Sequence, residues 1–122
     1  MTKILIIDDE KSIRSTLREI LEYEKFEVEE AADGAGGIEC VKNNRFDVIL
    51  CDIKMPKMDG IAAMGEIYRI RPDARVILSS GFNEEELCER VTDQAPSGFI
   101  RKPYSMSLLE TEINRVIQVK SH

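Results

Sequence analysis

Apolar residues along the chain alternate between two kinds of pattern. Ile4-Leu5-Ile6-Ile7 is a continuous apolar run, the pattern of a strand buried on both faces. Ile13, Leu17, Ile20 and Leu21 then recur at helical spacing, with Glu and Arg between them, and predict an amphipathic helix. Phe26 to Ala31 reads as a shorter strand, Asp33-Gly34 as a turn, and Ala35 to about Lys42 as a helix. Asp47 leads into Val48-Ile49-Leu50-Cys51, a second fully buried strand. Pro56 and Asp59-Gly60 punctuate a loop. Ile61, Met64, Ile67 and Tyr68 mark the next helix, which Arg71-Pro72-Asp73 stops. Val76-Ile77-Leu78 is the fourth strand, Glu84 to Val91 a short acidic helix, and Gly98-Phe99-Ile100 the fifth strand. Leu109, Ile113, Val116 and Ile117 give a closing helix.

These are five β-α units without repeat or linker, in 122 residues, which is the size of one domain spanning 1–122. Alternation of this kind calls for parallel strands with helices on both faces. The expected fold is α/β: a flavodoxin-like, doubly wound (βα)5 sheet in strand order 2-1-3-4-5. Ligands of such sheets bind at the carboxyl ends of the strands, where the order reverses, here between strands one and three. Function is therefore sought in the residues that follow each strand.

Asp8, Asp9 and Glu10 follow the first strand and Asp52 the third. Ser79 and Ser80 follow the fourth, and Lys102-Pro103 the fifth. Any one of these has an ordinary explanation: an acid at a helix start, a hydroxyl at a strand end, a surface lysine. Their coincidence at four strand ends is what points to a site. Converging carboxylates raise one another's pKa and oppose folding unless a cation joins them. Mg²⁺ suits such a pocket, because it takes oxygen ligands and retains water and substrate phosphate oxygens.

Charge and special residues narrow the classes. Seventeen basic against 23 acidic side chains leave a formal charge of −6, which argues against a nucleic-acid-binding face. No apolar run approaches the ~20 residues of a membrane span, and the short run after Thr2-Lys3 is too brief for a secretory signal. A cytoplasmic location with reduced thiols is expected for Cys40, Cys51 and Cys88, which follow no metal-ligand spacing. The only histidine is His122, so Ser-His and Cys-His catalysis and a phosphohistidine role are excluded.

The motif set resembles the receiver (response regulator) pattern of two-component signalling. It comprises Asp8-Asp9-Glu10, the run Asp52-Ile53-Lys54-Met55-Pro56-Lys57-Met58-Asp59-Gly60, Ser80-Gly81 and Lys102-Pro103. The resemblance covers essentially the whole chain. It implies a phosphoacceptor signalling switch rather than a conventional enzyme, with no catalysis beyond its own phosphorylation and dephosphorylation. Asp52 is the implied phosphoacceptor. Asp8, Asp9, Asp52 and the main-chain carbonyl of Lys54 are the implied holders of Mg²⁺, for which Mn²⁺ can substitute. Ser80 and Lys102 would contact the bound phosphoryl group, with Lys102-Pro103 in cis, and Gly81 would leave the approach open. Ser80 and Phe99 occupy the family's switch positions. Phe99 is equally an ordinary strand residue. A histidine kinase or histidine phosphotransfer protein is the implied donor. The implied output is a downstream domain or protein, or a phosphorylation-dependent homodimer, with no direct contact to nucleic acid or membrane.

Three rivals fit less well. A haloacid-dehalogenase-type phosphohydrolase wants Asp-x-Asp and a cap, but Glu10 holds the second position. Gly34-Ala35-Gly36-Gly37 lacks the third glycine of a dinucleotide fingerprint and is better read as turn chemistry. A degenerate receiver is disfavoured because acid pair, acceptor, hydroxyl and lysine are all present. The approach to strand five, Val91 to Ser97, departs from the family's small-residue pattern, and Pro96 should shorten the preceding helix.

Overall fold

The computed structural model describes residues 2–81 and 95–118. In chain order the elements are β1 (Lys3–Ile7), α1 (Lys11–Tyr23), β2 (Glu27–Ala31), α2 (Gly34–Asn43), β3 (Val48–Asp52), α3 (Gly60–Ile70), β4 (Val76–Ser80), β5 (Gly98–Arg101) and α4 (Met106–Gln118). The acidic helix expected at Glu84 to Val91 lies outside the described residues, as does the effect expected of Pro96 on its end. The five strands form one parallel sheet in the order β2-β1-β3-β4-β5, as the alternation predicts.

The continuous apolar strands divide by parity between two helical layers. Leu5, Ile7, Ile49, Cys51 and Leu78 pack with Val41, Ala63, Met64 and Ile67 of α2 and α3. Ile4, Ile6, Val48, Leu50 and Ile77 pack on the opposite side with Leu17 and Leu21 of α1 and Leu109, Ile113 and Val116 of α4. Side chains on a strand point alternately to the two faces, so a strand covered on both sides must be apolar throughout. Each such Ile or Leu stabilises the fold by about 1.5–3 kcal/mol on burial. Cys51 belongs to this core, and burial pushes its thiol well above the usual range. It acts as a small hydrophobe. Among the described residues no helix is long and apolar enough to cross a membrane.

Three local features differ from the sequence expectation. Phe26 is not in β2, because its N–H donates to Leu21 O (3.0 Å) and Lys25 N–H to Glu22 O (3.0 Å). Together they close the end of α1, with Lys25 at φ 73° where such caps usually have glycine. Asp33 is a helix N-cap rather than half of a turn: its Oδ1 accepts from Gly36 N–H at 2.7 Å. Gly34 to Gly37 accordingly form the first turn of α2 rather than a turn. Gly37 is packed so closely on Ile7 that a Cβ would come within 2.3 Å of it.

Candidate functional site

β1 and β3 are neighbours in register, Ile7 opposite Cys51, so Asp8 and Asp52 emerge side by side from their carboxyl ends. Asp8 and Asp52 are buried and Asp9 is exposed; one carboxylate oxygen from each lies within 4.8 Å of the others. Asp8 is held at four atoms. Its N–H donates to Ala31 O (3.2 Å), its carbonyl accepts from Arg14 Nη1 (2.7 Å), and its Oδ1 accepts from Glu10 N–H (2.9 Å). The fourth partner is Lys102, whose Nζ lies 3.2 Å from Asp8 Oδ2 and 3.3 Å from Asp52 Oδ1.

The Lys102–Pro103 bond is cis, and the Lys102 N–H is tied to the end of β4, donating to Ser80 O at 2.6 Å. One ammonium thus serves two buried carboxylates. Burial raises the Asp52 carboxyl to about 6; Lys102 opposes this and Asp8 and Asp9 add to it. Burial alone would lower the Lys102 ammonium, but Asp52 and Asp8 outweigh it and the net shift is upward.

The loop after β3 is shaped by close backbone packing. Gly60 N–H donates to Ile53 O (2.8 Å), and a Cβ on Gly60 would lie 2.3 Å from Asp52 O. Only glycine lets the start of α3 come this close to the strand end. Asp59 Oδ1 caps α3 by accepting from Ala62 N–H at 2.9 Å. Lys57, at φ 69°, is the middle of a three-residue turn closed by Met58 N–H on Pro56 O (2.8 Å). Ile53 and Met55 face the core, while Lys54, two residues beyond Asp52, is exposed.

Asp8, Asp9, Asp52 and Lys102 are therefore brought into one pocket. Ser80 is buried as the last residue of β4, one position beyond Ser79, the register partner of Asp52. Phe99 lies in β5 opposite Leu78 and is half-buried against the α2–α3 side of the core. Gly81 is exposed, and a Cβ there would meet nothing within 4 Å. The donor set is all oxygen, two of the three carboxylates are buried, and the Lys102 ammonium lies against those two. That arrangement fits a hard divalent cation such as Mg²⁺.

The description "Response regulator receiver domain" matches residues 4–114 of the chain. The chain belongs to the response regulator receiver family. The receiver is 34% identical over 116 residues to the chemotaxis protein CheY of Bacillus subtilis, covering 94% of this chain and 97% of that one. It superimposes on a receiver domain protein from Clostridium thermocellum with a TM-score of 0.88 at 31% identity, covering 96% of this chain and 94% of the other. The response regulator TrrA from Thermotoga maritima, solved in complex with Mg²⁺-BeF, gives 0.82 at 27% identity, over 95% and 99%. As a member of this family the receiver is a phosphoacceptor signalling switch of two-component systems.

Sequence reasoning missed two helix residues that hold main-chain atoms, one of them at the pocket. Arg14 reads as a polar position of an amphipathic helix, yet it holds Asp8. Glu112 reads as a surface acid of α4, yet its Oε2 accepts from Phe99 N–H at 3.2 Å while Arg115 pairs with it at 2.9 Å. In both cases the hydrogen-bond partner is a main-chain atom outside the helix that carries the side chain, which no side-chain pattern in the sequence records.

Proposed function

We propose that Asp52 is the phosphoacceptor, that Asp8, Asp9, Asp52 and the Lys54 carbonyl hold the metal, and that Ser80 and Lys102 receive the phosphoryl group. The observation that carries this reading is the shared ammonium: Lys102 Nζ lies between buried Asp8 and Asp52, with Asp9 alongside. An Asp52 oxygen attacks phosphorus, the bond from phosphorus to the donor breaks, and its electron pair leaves with the donor. The product is an aspartyl phosphate. When bound, Mg²⁺, or Mn²⁺ in its place, neutralises the charge on the phosphoryl oxygens. Lys102 turns from bridging two carboxylates to pairing with the transferred group.

The adduct brings up to about two negative charges and strong hydrogen-bond acceptors. Ser80 donates to them, and Phe99 turns inward beside it, altering the surface around β5 and α4. A histidine kinase or histidine phosphotransfer protein supplies the phosphoryl group, and an output domain or protein, or a second copy of the chain, reads the change. The domain catalyses its own phosphorylation from a small donor and the later hydrolysis, and acts on no other substrate. Incubation with acetyl phosphate tests this by intact mass. A single phosphoryl adduct that requires Mg²⁺ is expected. No adduct, together with no binding of beryllium fluoride, would leave a receiver-shaped binding module.

A further inference from the structure

The carbonyl of Asp8 is not left to the loop that carries it. Arg14 Nη1 donates to it at 2.7 Å, and the same guanidinium is fixed from its other side, Nε lying 3.2 Å from Glu30 Oε1. Glu30 is on β2, opposite Ile6 in register, and its second oxygen accepts from Arg18 Nη1 at 2.8 Å. The two arginines lie one helical turn apart on α1 and grip one carboxylate, which they hold below the usual range, Arg18 first. The Arg14 side chain is only 14% exposed. Its planar fork is therefore aimed by a carboxylate on a strand and terminates on the one peptide carbonyl between Asp8 and Asp9.

We propose that Arg14, oriented by Glu30, is a positioning residue for metal binding: it fixes the Asp8–Asp9 peptide and so aims both carboxylates of that loop. This inference rests on the metal site proposed above. The other holds on Asp8 do not suffice for the task. Ala31 O fixes only the Asp8 amide, Glu10 N–H comes from the same loop, and Lys102 is shared with Asp52 and leaves Asp8 when it pairs with a phosphoryl group. Arg14 is the remaining anchor, and it links the loop to α1 and β2 at once. A lysine at the position keeps the charge but cannot form the fork that reaches both Asp8 O and Glu30. The Arg14–Glu30–Arg18 group also carries one net positive charge behind three carboxylates, so charge and geometry have to be separated by experiment.

The test is calorimetric titration of the full chain with Mg²⁺ for the native sequence, Arg14→Met, Arg14→Lys and Glu30→Gln, with thermal midpoints of each taken in chelator. Loss of an outer partner of a metal ligand typically weakens metal binding about 10–100-fold. Arg14→Met and Arg14→Lys are both expected to weaken Mg²⁺ about tenfold or more. Glu30→Gln, which leaves Arg14 in place but unaimed, is expected to weaken it severalfold, with the chelator midpoint little changed. Binding within twofold of native in all variants would overturn the proposal. Full recovery in Arg14→Lys alone would also overturn it, since a single donor without the fork aimed by Glu30 would then suffice. Should the Arg14 variants fail to fold, Glu30→Gln decides by the same criterion. If the native chain itself binds no Mg²⁺, the metal site fails first and this inference with it.

Discussion

Replacing Asp52 by Asn should make the metal-free protein more stable, although it removes an ion pair. The Asp52 carboxyl is pushed from 3.8 up to about 6, by burial first and by Asp8 and Asp9 in addition, with Lys102 only partly compensating. A carboxyl with a raised folded pKa binds its proton more tightly when folded. Its contribution to stability is therefore present below the unfolded value and is lost as pH climbs through about 4 to 6. At about 1.36 kcal/mol for each tenfold in proton affinity the loss is about 3 kcal/mol, an upper value because the pocket opens to solvent. Asn keeps the shape without the charge, and Lys102 keeps Asp8 at 3.2 Å. Urea unfolding in chelator at pH 7.5 should show Asp52→Asn more stable by about 2 kcal/mol, moving the midpoint by about 1 M at an ordinary slope. The advantage should shrink towards pH 4, and Mg²⁺ should close the gap by stabilising the native sequence more than the variant. A variant equally or less stable at pH 7.5, or an advantage independent of pH between 4 and 6.5, would refute the reasoning.

Other perturbations test other parts of the account. Lys102→Met leaves Asp8 and Asp52 without their shared ammonium and should slow phosphorylation by acetyl phosphate about 100-fold, read by intact mass against time. Gly60→Ala forces a Cβ to within 2.3 Å of Asp52 O and should cost about 2–4 kcal/mol in chemical unfolding, or abolish folding. Lys25→Gly removes a side chain from φ 73° and should raise stability by about 1 kcal/mol. Glu112→Ala strips the Phe99 amide of its partner and should cost about 1 kcal/mol; faster hydrogen exchange at that amide is the direct check.

What could be read from the sequence follows from which interactions leave a pattern. β1, β3 and β4 are legible because helices cover both faces, so every position from Ile4 to Ile7 and from Val76 to Leu78 must be apolar. The pocket is legible because parallel topology sends all carboxyl ends to one edge, and Asp8, Asp9, Asp52 and Lys102 each stand at such an end. Phe26 is illegible as a cap residue because its role depends on Leu21 O, a main-chain atom. Asp33 reads as part of a turn because Asp-Gly is a turn signal as well as a helix start, and only the bond from Gly36 distinguishes them. Gly60 shows its purpose only once α3 is seen to press on the end of β3. Arg14 and Glu112 belong to the same class: their value lies in a carbonyl and an amide that the folded chain brings to them.

The central claim is that the phosphoryl group resides on Asp52, and reductive trapping tests it most directly. Borohydride converts an aspartyl phosphate to homoserine and leaves free carboxylates and phosphoserine untouched. After treatment with acetyl phosphate and Mg²⁺, the account predicts homoserine at position 52 and nowhere else, and none when Mg²⁺ is omitted. Homoserine at position 8 or 9, or an adduct that survives borohydride as phosphoserine at Ser80, would contradict it.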